Sequence, residues 1–159
     1  MFTEEAKLKL DAILKKYPTK KAALLPALWL AQEENDGWVP REAMREIAGI
    51  LGLVPAEVEG VATFYTMYNK APIGKYHLEV CHNIVCMAVG ADELIEHIGE
   101  KLGVEKGATT ADRKFTLNGA ECLGACANAP CMMVGSTYYE DLDFEKTDKI
   151  LDELAAKVP

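Results

Sequence analysis

Apolar positions in the first seventy residues recur at helical spacing and are interrupted by proline and glycine. Thr3 is placed to cap the first helix, because its hydroxyl can accept a hydrogen bond from a free N–H group of the first turn. Thr19 begins a second helix, in which Pro26 lies either within the first turns or at a bend. Pro40 and Pro55 suit the first positions of two more helices. The pattern predicts a small bundle of four short helices.

The periodicity changes near residues 69–74, where Pro72 and Gly74 mark a boundary. The following residues alternate between apolar and polar positions, as in a strand, and later segments have the spacing of further strands and helices. The predicted elements are strands over 75–80, 115–120, 132–134 and 137–139, and helices over 88–102 and from Asp143 onward. This order is typical of an α/β layer arrangement. We therefore predict two domains, residues 1–72 and residues 73–159.

Four cysteines form two short-spaced pairs at the ends of predicted strands. Four residues separate Cys81 from Cys86, and three separate Cys122 from Cys126. Thiolates suit iron–sulfur clusters and zinc. With tetrahedral geometry and bonds of about 2.3 Å, two sulfurs on one metal lie about 3.5–4 Å apart, which such loops can provide. The leading hypothesis is a [2Fe–2S] cluster with one pair on each iron.

Other interpretations of the cysteines compete with this one. Structural zinc usually has a two-residue spacer in at least one pair, and neither pair has it. A disulfide framework is disfavoured because five cysteines is an odd number. Cys131, the fifth, is expected to be buried or to neighbour the ligands, and a role as a ligand is the less favoured alternative. The three histidines are expected to face solvent or to lie beside the ligands; they are His77, His82 and His97.

The composition and charge of the chain limit the classes of function that it can have. Half of the 159 residues are hydrophobic, which suffices for a core, and Trp29 and Trp38 are expected to contribute to it. The net charge of −8 argues against nucleic acid and against anionic lipid as partners. No nucleotide-binding motif and no nucleophile–base set is found, so no catalytic residue is predicted. The longest apolar run, residues 22–31, is too short to span a bilayer, and the N-terminus has no signal pattern, so a cytoplasmic protein is expected.

Four stretches together resemble one family, the E subunits of NADH–quinone oxidoreductase, which is respiratory complex I. The resemblance covers nearly the whole chain. It is carried by GVATFYTMY at 60–68, by Cys81-x4-Cys86, by CLGACANAP at 122–130 and by YYEDL at 138–142.

The resemblance implies a thioredoxin-like [2Fe–2S] ferredoxin domain behind an N-terminal helical bundle. It implies one [2Fe–2S] cluster held by Cys81, Cys86, Cys122 and Cys126, and an electron-carrier subunit that is not catalytic alone. The implied partner is the F subunit, which carries flavin mononucleotide (FMN), the NADH site and a [4Fe–4S] cluster. That heterodimer would belong to the peripheral arm, at the cytoplasmic face of the inner membrane and without direct membrane insertion.

Three alternatives remain open beside this assignment. Related subunits occur in NAD-linked hydrogenases and formate dehydrogenases, and a zinc-stabilised interaction module is an alternative from a different class. A free-standing thioredoxin-like ferredoxin is the third, and the helical first half argues against it because a simple electron shuttle does not need it. Four thiolates and an acidic chain both disfavour added negative charge, so a low reduction potential is expected; plant-type clusters lie near about −400 mV.

Overall fold

The computed structural model describes residues 2–157 and divides the chain into two compact units, Met1–Pro72 and Ile73–Pro159. The first unit is helical, and the second combines a four-stranded sheet with helices. Among residues 2–157, no helix has both the length and the apolar character needed to cross a membrane.

Within residues 2–72, the first unit contains four α-helices and one short 3-10 helix. The Thr3 hydroxyl accepts a 3.1 Å hydrogen bond from the backbone N–H of Ala6, which confirms the predicted cap. Pro26 is the third residue of its helix, so the first of its two expected positions is correct. Pro40 precedes its helix as the cap instead of occupying the first position. The elements are α1 (Glu4–Leu14), a 3-10 helix (Lys20–Ala23), α2 (Leu24–Glu34), α3 (Arg41–Leu51) and α4 (Pro55–Phe64).

Tyr68 closes the core of the helical unit. Its ring is fully buried, and its hydroxyl donates a 2.8 Å hydrogen bond to the carbonyl oxygen of Leu25. The ring meets Trp29 and Tyr65 edge to face. Burial is the main cause that raises the pKa of Tyr68 to about 12. Trp29 itself is 44% exposed, so the expectation that it belongs to the core is wrong.

The sheet of the second unit has the order β2-β1-β3-β4. Its strands are β1 (Tyr76–Cys81), β2 (Phe115–Ala120), β3 (Met132–Val134) and β4 (Thr137–Tyr139). The β1 strand is parallel to β2 and antiparallel to β3, and β3 and β4 form the predicted hairpin. Leu78 and Leu117, which pair across β1 and β2, are both fully buried in the core of this unit.

Within residues 73–157, three α-helices and one short 3-10 helix accompany the sheet: α5 (Ile84–Ala88), α6 (Ala91–Leu102), α7 (Phe144–Ala156) and the 3-10 helix Cys126–Asn128. The predicted single helix over 88–102 is wrong at its start, because Gly90 adopts a left-handed backbone conformation with φ of 95° and separates α5 from α6. The carboxylate of Asp143 accepts a hydrogen bond from the N–H of Lys146, which confirms the predicted start of the last helix.

Candidate metal centre

The register of the sheet brings Cys81 and Cys131 together. Cys81 is the last residue of β1, and Cys131 immediately precedes β3. Val80 pairs with Met132 in the antiparallel ladder, and the Cys81 N–H donates a 3.0 Å hydrogen bond to the Cys131 carbonyl oxygen. The two cysteines therefore lie side by side at one end of the sheet.

Helix α5 delivers the second cysteine of the first pair. Asn83 caps this helix, with its side chain accepting from the N–H of Ile84, and Cys86 is the residue that the helix buries. The Met87 N–H donates a 2.8 Å hydrogen bond to the Asn83 carbonyl oxygen, which closes the turn. The first cysteine loop is thus a single helical turn that directs the Cys86 side chain inward.

Three sulfurs converge in this region. The Sγ atoms of Cys81, Cys86 and Cys131 all lie within 4.8 Å of one another, and all three side chains are buried. Small and apolar side chains surround them, which leaves room beside the sulfurs and keeps polar competitors away. These neighbours are Ala91, Leu123, Ala125 and Ala129.

Hydrogen bonds and burial give these thiols different acidities. Burial opposes ionisation of Cys81, but donation from the N–H groups of Asn83 and Leu123 and from the neighbouring thiols outweighs it, so the pKa of Cys81 is lowered. Burial and the nearby Cys81 raise the pKa of Cys86, against donation from the Cys131 backbone. Burial, together with the neighbouring Cys86 and Cys81, raises the pKa of Cys131 to about 12.

The second cysteine pair lies on an exposed loop next to this group. Cys122 and Cys126 are both exposed, and Gly124 between them has a left-handed φ of 77°. Leu123 packs against the buried cysteines, and its carbonyl oxygen accepts a 3.0 Å hydrogen bond from the Tyr138 hydroxyl. The structure thus groups Cys81 and Cys86 with Cys131, and it leaves the sulfurs of the second pair at the surface.

Cys131 is the residue whose exact place sequence reasoning does not give. The sequence predicts it to be buried or to neighbour the ligands, and its burial beside Cys81 and Cys86 confirms this. Its contact with Cys81 depends on the antiparallel pairing of β1 with β3. The signal available in the sequence is its position directly before a predicted strand.

The histidines take structural positions. The His82 ring packs on Gly119, where an added Cβ would lie 2.7 Å from the ring. His77 Nε2 lies 2.7 Å from Asn118 Nδ2. His97 Nε2 lies 2.9 Å from Asp148 Oδ1, which joins α6 to α7.

The donor set fits an iron–sulfur centre. Thiolate sulfurs are the ligands such a centre uses, and backbone N–H groups directed at the sulfurs are a recognised influence on its potential. Here a buried trio of sulfurs receives donation from the backbone of Asn83, Leu123 and Cys131, and two further cysteines lie on the adjacent loop.

Comparison with known proteins gives the same assignment. The family model of the thioredoxin-like [2Fe–2S] ferredoxins matches residues 10–155. The chain is 46% identical to the E subunit of NADH-quinone oxidoreductase from Rickettsia conorii over 146 residues, which are 91% of this chain and 87% of that protein. It is 42% identical to an E subunit of the same enzyme from Rhizobium meliloti, over 92% of this chain and 87% of that protein.

A mitochondrial protein is also similar in sequence, and a solved structure is similar in fold. The chain is 43% identical to the mitochondrial NADH dehydrogenase [ubiquinone] flavoprotein 2 of Dictyostelium discoideum, over 99% of this chain and 65% of that protein. A crystal structure of NAD+-reducing [NiFe]-hydrogenase in the H2-reduced state shares the fold with a TM-score of 0.73 and 24% identity, over 86% of this chain and 22% of that one. The chain belongs to the thioredoxin-like [2Fe–2S] ferredoxins, in the family of the E subunits of NADH–quinone oxidoreductase.

Proposed function

We propose that this chain is the electron-transfer subunit of the NADH dehydrogenase module of complex I. In this proposal it holds a [2Fe–2S] centre with Cys81, Cys86, Cys122 and Cys126, and it exchanges one electron with the flavin of a partner protein. The observation that carries the proposal is the convergence of buried sulfurs at the end of β1, directly beside the loop with the second cysteine pair.

Each loop has a separate part in holding the centre. Cys81 and Cys86 would bind one iron from the buried side, and Cys122 and Cys126 would bind the other from the exposed loop. Leu123 links the two pairs, because its N–H donates to the Cys81 sulfur while its side chain packs against the buried cysteines. When bound, the group supplies a one-electron redox centre.

The protein around the site favours a low reduction potential. Four thiolates already carry negative charge, and the chain adds a net charge of −8, so a further electron is disfavoured electrostatically. Hydrogen bonds to the sulfurs from Asn83 and Leu123 act in the opposite direction. The resulting potential is expected to lie in the range of low-potential ferredoxins.

The chemistry of NADH is assigned to the partner. No nucleotide-binding motif occurs in the sequence, and no catalytic residue is proposed here. FMN, the NADH site and a [4Fe–4S] cluster are therefore proposed for the F subunit alone. The heterodimer would join the peripheral arm of the complex, which would hold this chain at the cytoplasmic face of the inner membrane.

Helix α5 provides the surface that we assign to the flavoprotein partner. It buries Cys86 and exposes most of its apolar side chains, an unusual arrangement for a helix in water. Because this helix carries one of the proposed ligands, a partner seated on it would lie next to the redox centre. The exposed apolar side chains on and just after the helix are Ile84, Val85, Met87 and Val89.

A diaphorase subunit of an NAD-linked hydrogenase or formate dehydrogenase is the second candidate. The shared fold with the NAD+-reducing hydrogenase supports it, but the identity there is 24%, against 42–46% for the E subunits of NADH-quinone oxidoreductase. The higher identity over nine-tenths of the chain favours the complex I assignment.

Reconstitution with a flavoprotein tests the proposal. The chain would be mixed anaerobically with a purified FMN-containing F subunit, and association would be measured before NADH is added. We expect NADH to reduce the centre of this chain in the mixture and not in the isolated chain. The proposal would be contradicted if the two proteins did not associate. It would also be contradicted if NADH reduced the centre of this chain without the flavoprotein.

A further inference from the structure

The proposed centre leaves one cysteine over. The sequence contains five cysteines, and a [2Fe–2S] centre held by Cys81, Cys86, Cys122 and Cys126 uses four. Cys131 is the fifth, and its sulfur lies beside those of the first pair, Cys81 and Cys86. A role for this thiol is therefore a separate question from the identity of the ligands.

Cys131 is held against both ligands of the buried pair. Its side chain is fully buried, and its sulfur lies within 4.8 Å of the sulfurs of Cys81 and Cys86. Its carbonyl oxygen accepts the 3.0 Å hydrogen bond from the Cys81 N–H, and its own N–H donates to the Cys86 sulfur. The backbone thus fixes the thiol beside the iron that this pair would bind.

The surroundings favour a neutral thiol at Cys131. Its cluster of neighbours consists of alanines, Leu123 and the two cysteines, and none of these side chains carries a positive charge. A second charge buried without a partner next to anionic ligands would be disfavoured, because neither water nor an opposite charge would compensate it. A neutral thiol retains one hydrogen to donate, and the thiolates beside it are acceptors.

We propose that Cys131 is not a ligand but donates a single S–H···S hydrogen bond, shared between the thiolates of Cys81 and Cys86, and that this raises the reduction potential of the centre. The physical reason is that donors to ligand sulfurs withdraw negative charge from them, which stabilises the reduced form. This inference rests on the proposed function, because it requires the [2Fe–2S] centre.

Redox titration of three variants tests the proposal. Cys131→Val fills a similar volume without a donor, and Cys131→Ser retains a donor with a shorter reach. Met132→Leu alters the next buried residue, which belongs to the core around Leu78 and not to the cluster around the sulfurs. We expect a more negative midpoint potential in Cys131→Val, an intermediate value in Cys131→Ser and the wild-type value in Met132→Leu. An unchanged potential in Cys131→Val would overturn the proposal, and so would loss of its iron, which would make Cys131 a ligand.

Infrared spectroscopy of the wild-type protein gives a direct readout that does not depend on how variants fold. With four cysteines bound to iron, one S–H stretch should remain, and it should shift when the centre is reduced because its acceptors gain charge. No remaining S–H stretch, or one that is insensitive to reduction, would overturn the proposal. A wild-type protein without iron and sulfide would instead contradict the proposed function, so the two failures are distinguishable.

Discussion

The backbone N–H of Cys81 donates a 3.0 Å hydrogen bond to the carbonyl oxygen of Cys131. This bond extends the antiparallel ladder of β1 and β3 by one residue beyond the pair of Val80 and Met132. Two cysteines that are far apart in the sequence are thereby fixed at one end of the sheet. The closeness of Cys81 and Cys131 is therefore a consequence of strand register.

Alanine substitutions should distinguish the cysteines that bind the centre from Cys131, which is proposed not to bind it. Cys86→Ala and Cys122→Ala should each lose the centre, because one iron would then keep a single protein thiolate. Cys131→Ala should retain it. Iron and acid-labile sulfide are measured per chain, with circular dichroism to verify the fold of each variant. Loss of iron in Cys131→Ala, with retention in Cys122→Ala, would require a different ligand set.

Two glycines offer a matched test of the packing. A Cβ at Gly74 would lie 2.7 Å from the backbone carbon of Phe115, whereas one at Gly49, on the exposed side of α3, would meet nothing within 4 Å. Gly74→Ala should reduce the free energy of unfolding by about 1–3 kcal/mol through overpacking. Gly49→Ala should raise it by up to about 1 kcal/mol, because alanine is the better helix former. Urea unfolding measures both, and a Gly74→Ala variant as stable as wild type would contradict the close approach.

Tyr68 should make the helical unit sensitive to alkaline pH. Its pKa is raised to about 12 chiefly by burial, so the native state holds this proton more tightly than the unfolded state, whose tyrosines titrate near about 10. The associated stability is fully present below about pH 10 and is lost as the pH rises towards about 12.

The variant Tyr68→Phe isolates this effect. It should cost about 0.5–1.5 kcal/mol at neutral pH, because the hydrogen bond to Leu25 is lost, and its stability should fall less steeply than that of wild type over the same alkaline range. Urea unfolding across this range provides the comparison. Parallel pH profiles for the two proteins would contradict the raised pKa.

The assignment of α5 to partner binding can be tested with charge. Ile84 and Leu8 are both 71% exposed, and only Ile84 lies on the helix with a proposed ligand. Ile84→Asp should weaken binding to the flavoprotein roughly 5–30-fold, the effect of losing about 1–2 kcal/mol, while iron content is retained. Leu8→Asp should bind as wild type does. Equal affinities for both variants would place the interface elsewhere.

Most elements of the second unit follow from local signals in the sequence. Alternation and turn residues predict the strand over 115–120 and the hairpin over 132–139, and the side chain of Asp143 predicts the cap of the last helix. Helix α5 is not predicted, because its five residues are too few to show a helical period. The prediction of a single helix over 88–102 misses the break at Gly90, which has a left-handed backbone conformation. A single glycine within a helical pattern does not by itself indicate such a break.

The site can be predicted only in part, because some of it depends on local spacing and some on the pairing of distant strands. Spacing alone identifies two cysteine pairs as candidate ligands, since the number of intervening residues limits the distance between two sulfurs. The position of Cys131 depends on pairing between distant strands, which local patterns do not encode. Trp29 is expected in the core, but other apolar residues of α2, such as Leu28 and Leu30, are the ones that the helix buries. The Trp29 side chain stays 44% exposed.

Electron paramagnetic resonance on the anaerobically purified chain tests the proposed [2Fe–2S] centre most directly. Spectra are recorded before and after reduction with dithionite, and iron and sulfide are assayed on the same sample. We expect a signal that appears only on reduction, with two irons and two sulfides per chain as the family's [2Fe–2S] centre requires. A colourless sample that contains zinc and gives no signal in either state would contradict the electron-transfer function.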